Sequence, residues 1–248
     1  MNAHLSQQRL NREKLVATIS WVGISAMMLF VTGVTRATAY SEFYKEAYKE
    51  AGADLYRSDR ELSSADIGVK QTALGDVIAD AIRASAKTDA AFIQASAFSD
   101  TPVTLSRMGF ALADILKTLE YKGNTIGIVK VTGEQIRGAM ENSLYQYPAK
   151  NGAFLQTAGL VTNFNPSAPA GKRVTSIKLN GTALDNSKTY RIAMSMTLAN
   201  GASAYFKYWK KSDLDKDTNI SLETALSSYL NEHKTIVKGE DRLVASSK

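Results

Sequence analysis

Four segments, Phe154-Leu155-Gln156-Thr157-Ala158-Gly159-Leu160, Gly171-Lys172-Arg173-Val174, Tyr190-Arg191-Ile192-Ala193 and Asn200-Gly201-Ala202-Ser203-Ala204-Tyr205, lie in one stretch, 154–205, whose reading decides the fold. Residues 154–163, 173–179 and 189–197 read as strands, being short, rich in β-branched and aromatic residues, and bounded by turn-forming residues. Asn180-Gly181, between 173–179 and 182–184, is a strong two-residue hairpin signal, since both residue types accept positive φ. This half of the chain is therefore strand-rich.

The preceding segments supply helices. Residues 70–87 place Leu74, Val77, Ile78, Ala81 and Ile82 on one face at helical spacing. The short apolar run 90–94 suits a buried strand, 110–119 a second helix, and 125–131 a further strand. Thr132-Gly133-Glu134-Gln135 has the spacing of a capping box, opening a helix with Ile136, Met140 and Leu144 inward. After the strand-rich stretch, 221–233 forms a last amphipathic helix on Leu222, Ala225, Leu226 and Leu230. The order predicts an α+β domain, a mixed sheet with packed helices, over residues 67–248, with 57–66 as a polar linker.

Composition bounds the chemistry. With 44% hydrophobic residues the chain can bury a core. Its net charge of +6 comes from basic residues interleaved with acidic ones from Arg9 to Lys248, which reads as a mixed solvated surface and not as a nucleic-acid patch. The chain has no cysteine, which excludes disulfides, zinc fingers and thiol catalysis.

Residues 15–34 carry no charge over twenty positions, a length of about 30 Å as a helix, enough to cross a bilayer. The reading is a cytoplasmic tail over 1–14, a transmembrane helix or uncleaved signal anchor over 15–36, and a juxtamembrane helix and linker over 37–66. Arg9, Arg12 and Lys14 ahead of the run favour a cytoplasmic N-terminus, weakly opposed by Arg36, Lys45 and Lys49. Ala37-Thr38-Ala39 also has the form of a signal-peptidase site, although such signals usually carry a shorter apolar run. Tyr40, Tyr44 and Tyr48 recur every four residues, and with Trp21 and Phe43 they form either an interfacial anchor or a docking face for a neighbouring subunit, or pack on the chain's own domain.

Several motifs then carry a resemblance to a known family. Leu74 to Ala81 resembles LGNLIADA, Thr132 to Glu141 resembles TGEQLKEALE, Phe154 to Leu160 resembles FLQVSGL, and Asn180 to Tyr190 resembles GKPLDPDKTY, all in the C-terminal, substrate-specifying domain of the 5'-nucleotidases. The similarity covers about 68–235 in the same order, and it implies that domain's fold in a periplasmic setting. It also implies a site where the family holds a nucleoside base between two aromatic rings, beside a Gly-Gly-x-Arg loop. At the matching positions this chain has Gln94-Ala95-Ser96-Ala97-Phe98, without the glycines or the arginine whose guanidinium would pair with an anion. Pro-Phe-x-Asn appears as Glu120-Tyr121-Lys122-Gly123-Asn124, and Gly-Gly-Asp-Gly-Tyr as Gly201-Ala202-Ser203-Ala204-Tyr205. Tyr121, Asn124 and Tyr205 are thus the candidate ligand residues, for a small planar molecule stacked between two tyrosines or, failing that, rings packed on loops or a partner protein.

Catalysis finds no residues. The family's hydrolysis uses metal ions held on a separate domain ahead of this one, where this chain has an apolar run. His4 and His233 are its only histidines, too few for a metal cluster, and a lone histidine on a terminal helix is usually a surface residue. Asp76 and Asp80, one turn apart, read as a solvated face, and no phosphate loop, catalytic residue or cofactor is expected. The expectation is a non-enzymatic, single-pass inner-membrane protein whose periplasmic domain serves as an accessory or structural subunit among the other subunits of a larger membrane complex of respiratory, photosynthetic or transport type. The alternatives are a binding module for a nucleoside or another planar metabolite, or a specificity domain acting in trans with a separate phosphatase.

Overall fold

The computed structural model describes residues 54–246 and the helical positions 42, 45, 46 and 49. The membrane helix expected over 15–36, with Trp21, and the residues Tyr40, Phe43, Tyr44 and Tyr48 lie outside the described residues. Among the described residues, no helix is long and apolar enough to cross a membrane.

In chain order the strands are β1 (Arg57–Ser58), β2 (Leu62–Ser63), β3 (Ala90–Gln94), β4 (Thr104–Leu105), β5 (Thr125–Thr132), β6 (Leu155–Ala158), β7 (Leu160–Phe164), β8 (Val174–Leu179), β9 (Thr182–Ala183), β10 (Thr189–Ser195), β11 (Leu214–Ser221), β12 (Thr235–Ile236) and β13 (Leu243–Ala245). The helices are α1 (Ala73–Ala86), α2 (Leu112–Leu116), α3 (Gly133–Ser143), α4 (Met196–Ala199) and α5 (Leu222–Glu232). A five-stranded mixed sheet in the order β11-β5-β10-β3-β6 forms the centre. Only β3 and β10 in it are parallel. A four-stranded sheet, β13-β7-β8-β9, packs beside it.

Both faces of the central sheet are covered, which is why β3 is apolar without alternation. Ala91 and Ile93 face one core, built with Leu74, Ile78 and Ile82 of α1 and Leu222, Leu226 and Leu230 of α5. Ala90 and Phe92 face the other, built with Ile136 and Met140 of α3, Ile177 of β8, Tyr205 and Trp209. The expected capping box forms: Thr132 Oγ1 accepts from the Gln135 amide at 3.3 Å, and Gln135 Oε1 accepts from the Thr132 amide at 2.7 Å. Asn180 and Gly181 both have positive φ, 48° and 80°, so the hairpin turn joining β8 to β9 is of the expected kind.

Two expectations need correction. The single strand over 154–163 is two strands in different sheets, broken at Gly159. Its φ is +77°, and a Cβ there would lie 2.6 Å from the Asp89 carbonyl oxygen, so only glycine lets the chain turn from β6 into β7. Residues 57–66 are not a linker but part of the packed domain. β1 pairs with β12, β2 with β4, and Leu62 is fully buried. Asp59, one of the polar residues that suggested a linker, ties this segment to the C-terminus: its carboxylate accepts from the Lys238 amide at 2.7 Å, and its own amide donates to the Ile236 carbonyl at 3.0 Å.

A C-terminal strap, residues 234–246, crosses α1, and here Asp76 and Asp80 differ from the solvated face expected of them. Arg242 Nη2 donates to both Asp80 carboxylate oxygens at 2.8 and 2.7 Å, and Nη1 donates to the Thr157 carbonyl at 2.7 Å. Asp76 Oδ1 is the more distant partner, at 3.5 Å. Burial pushes the Asp76 carboxyl up to about 6, against the opposing pull of Arg242 and Gln71. An acid raised in this way adds stability below its ordinary range and loses it as pH rises through its folded value. Stability is therefore expected to fall between about pH 4 and pH 7, and Asp76→Asn to flatten that slope, as read from urea midpoints. Asp59, Asp66, Asp185 and Asp215 are held below the usual carboxylate range by hydrogen bonds, so they act only under more acidic conditions. An unchanged slope in the variant would contradict this account of Asp76.

Candidate functional site

Sheet topology brings four chain segments to one edge. β3 and β10 are parallel, so their carboxyl ends, Gln94 and Ser195, lie side by side. β5 and β11 are antiparallel neighbours in register at Thr125 and Ser221, which puts the start of β5 and the end of β11 at that same edge. The turns leaving or entering these strands enclose a cleft of about 170 Å3, lined by Gln94, Ser96, Tyr121, Asn124, Thr197 and Leu222 among others. A crevice beyond the carboxyl ends of parallel strands is a common place for ligands.

Each wall has a local cause. After Gln94 the chain makes one 3-10 turn, Ala95–Ala97. Tyr121 and Asn124 close a turn through the Asn124 amide and Tyr121 carbonyl at 3.0 Å, and Asn124 Nδ2 donates to Thr197 Oγ1 at 2.6 Å. Thr197 reaches that position because α4 lies directly on β5 at Gly127, where a Cβ would meet Met196 Sδ at 2.6 Å. Ser195 Oγ caps α4 by accepting from the Leu198 amide, and the Leu222 amide, at the start of α5, donates to the Asn124 carbonyl at 3.0 Å.

Of the three candidate ligand residues, the structure brings Tyr121 and Asn124 to the cleft and takes Tyr205 elsewhere. Tyr121 is 67% exposed, its ring free to cover a ligand. Tyr205 is fully buried, stacked on Trp209 with ring centroids 4.9 Å apart and planes 6° from parallel. Its hydroxyl donates to the Ala153 carbonyl at 2.5 Å, and burial pushes its phenol far above the ordinary range. The facing pair of tyrosines is therefore not formed. Ser203 and Ala204 have left-handed backbones, φ 55° and 66°, and these turn Tyr205 into the core while the next residue, Phe206, points outward and is 62% exposed.

The two loops expected to have lost ligand groups are tied to each other: Ser96 Oγ lies 3.1 Å from Ser203 Oγ. Gln94, 2% exposed, lines the cleft and keeps a buried side-chain oxygen with no hydrogen-bond partner. The contributions of Ser195 and Thr197 carried no sequence signal, because they depend on the pairing of β10 with β3 and β5. Away from this edge, His233 is exposed and stacked on Tyr229 at 4.3 Å, and Lys172 of the Gly171 turn is in solvent. Among the described residues, no group of three or more His, Cys, Asp or Glu comes together in a way that could hold a metal ion.

The model of the family described as the 5'-nucleotidase C-terminal domain matches residues 49–210. The chain belongs to this family. Among relatives, the 5'-nucleotidase C-terminal domain here is 31% identical over 145 residues to the trifunctional nucleotide phosphoesterase protein YfkN of Bacillus subtilis (strain 168), covering 56% of this chain and 10% of that protein. It is 29% identical over 144 residues to a 5'-nucleotidase of Diplobatis ommata, covering 54% of this chain and 25% of that one. The fold matches the crystal structure of a 5'-nucleotidase precursor from Thermus thermophilus with a TM-score of 0.70 and 23% identity, over 86% of this chain and 43% of that one. The Haemophilus influenzae NAD nucleotidase follows at a TM-score of 0.65 and 16% identity, over 87% of this chain and 42% of that one. The chain thus spans less than half of each of these proteins, and what it matches is the C-terminal domain.

Proposed function

We propose that this chain is a non-catalytic binding module that holds a nucleoside-like ligand in the cleft between Tyr121, Asn124 and Gln94. The observation that carries the reading is an exposed aromatic ring, Tyr121, beside Asn124 and Gln94 in a cleft at the strand ends. The relatives are named for nucleotides and NAD, molecules built on a planar base, which suits a ring such as Tyr121. A stacked base is worth about 1–3 kcal/mol by alanine substitution. Titrating the full-length chain in detergent with adenosine and with uridine is expected to give saturable binding to at least one of them. Tyr121→Ala is expected to weaken that binding by about tenfold while leaving the thermal midpoint in place, and full affinity in the variant would move the site elsewhere.

The uncharged run over 15–34 gives this module its setting: a single-pass anchor in the inner membrane, N-terminus cytoplasmic and domain periplasmic. That anchor also favours a second reading, an accessory subunit of a larger membrane assembly. It calls for a stoichiometric partner on purification in mild detergent, and a chain that purifies alone would end it.

A further inference from the structure

We infer that the turn around Phe206 is a lipid-contacting face, which lays the domain on the phospholipid surface of the membrane that anchors it. The inference rests on the anchored setting proposed above and adds the side of the domain that meets the lipid. Tyr205 and Trp209 are buried and stacked on each other, so the 3-10 turn Tyr205–Lys207 is pinned to the core while the ring of Phe206 stays in solvent. Single exposed apolar rings are common, and this one is set apart by its company. Lys207, Lys210 and Lys211 are exposed, and among the described residues none of their ammoniums is paired with a carboxylate. Tyr145, 61% exposed, is brought toward the same loop by Asn142, whose side-chain amide donates to the Ser203 carbonyl at 3.4 Å and whose carbonyl accepts from the Tyr145 amide at 3.2 Å.

Lysine is depleted at protein–protein interfaces, whereas an aromatic ring flanked by lysines suits a bilayer surface. The ring enters the boundary between headgroups and acyl chains, the lysine stems lie along apolar groups, and the ammoniums reach the lipid phosphates. Glu134 and Asp213 line the groove beside Lys207 and Lys210, so the three lysines are nearly balanced and the contact depends more on the ring than on charge. The tether permits the contact. Residues 35–53 join the uncharged run to Asp54, and even wholly helical they would reach about 28 Å. A domain of this size has a radius of gyration of about 16 Å. Tethering also makes the contact intramolecular, so a face too weak to hold vesicles from solution is occupied once the anchor is in place.

The test uses the full-length chain, which has no cysteine, so one fluorophore can be placed by Ser212→Cys beside the patch or by Ala84→Cys on α1. Both positions are exposed, and α1 packs on the opposite face of the central sheet from Trp209. Each labelled chain is reconstituted into vesicles of phosphatidylcholine and phosphatidylglycerol that carry a nitroxide quencher on the headgroup. The label at 212 is expected to be quenched about twofold or more beyond the label at 84. Phe206→Ser should remove most of that difference and leave the thermal midpoint in place, because the ring is outside the core. Equal quenching at the two positions, as a protein or a second copy covering Phe206 would give, or a difference undiminished in Phe206→Ser, would overturn the inference while the anchor stands, shown by flotation of the chain with the vesicles. A chain that does not float with them would overturn the anchor and the lipid face together. The comparison of the two labels stands even where Phe206→Ser does not fold.

Discussion

Replacing Arg242 with alanine is expected to destabilise the domain by about 3–5 kcal/mol at neutral pH, the usual cost of leaving a buried charge without its partner. Arg242 is buried and ties the strap to two elements: its guanidinium holds Asp80 on α1 through two short bonds, approaches Asp76 on the same helix, and donates to the Thr157 carbonyl on β6. Its own main chain is equally engaged. The Arg242 carbonyl accepts from the Thr162 amide at 2.8 Å, and its amide donates to Gln71 Oε1 at 2.5 Å. Without the guanidinium, two carboxylates one turn apart on α1 face each other at the edge of the core, and the strap carrying β13 loses its anchor. In a domain of this size each kcal/mol moves the thermal midpoint by about 2–4 °C, so the loss is on the order of 10 °C. The deficit should shrink in mild acid, because Asp76, already raised to about 6 by burial, then becomes neutral. Paired thermal melts near pH 7.5 and pH 5 check both parts; a loss under about 1 kcal/mol at the higher pH would show that the strap is not coupled to the core.

Trp209→Ala is expected to cost a similar amount, about 3–5 kcal/mol, through the cavity it opens. The indole is buried between Tyr205 and Phe92, with centroids 4.9 and 6.4 Å away, and its Nε1 donates to the Leu198 carbonyl at 2.9 Å. Removing it strips the stack that holds Tyr205 and the α4 end of the cleft together. Tyr205→Phe is the milder companion. It leaves the stack and takes away the donor to the Ala153 carbonyl, for a loss of about 1–2 kcal/mol. Neither Tyr205 nor Trp209 lines the cleft, so Tyr205→Phe should bind ligand as wild type does, read by denaturant midpoints together with a titration. A Tyr205→Phe chain of full stability and lost affinity would return Tyr205 to the ligand site.

Much of the fold was legible because local signals agreed with the final packing. The Thr132 box, the apolar faces of α1, α3 and α5, and the Asn180-Gly181 turn all depend on residues close in sequence. What failed depended on distant partners. Gly159 inside an apolar run looks like one strand until the sheet forces β6 and β7 apart, and polar residues 57–66 look like a linker until Lys238 and Ile236 come back to meet them. Arg242 gave no sign in sequence, since its acids lie on α1, at the opposite end of the domain's chain.

The candidate cleft follows the same division between near and distant partners. Tyr121 and Asn124 sit in a short turn whose residues decide their own placement, and they reach the cleft. Tyr205 does not: it follows two left-handed residues, Ser203 and Ala204, and its ring is buried on Trp209, a placement that depends on distant core partners. Of the three residues that the resemblance singled out, two therefore line this cleft and one is in the core.

The most direct test of the central claim is a calorimetric titration of the full-length wild-type chain with adenosine and uridine and their monophosphates, with free phosphate assayed in the same samples. The account predicts saturable heat with a nucleoside and no phosphate released from its monophosphate. Absence of heat with all four, or release of phosphate by the purified chain, would contradict it.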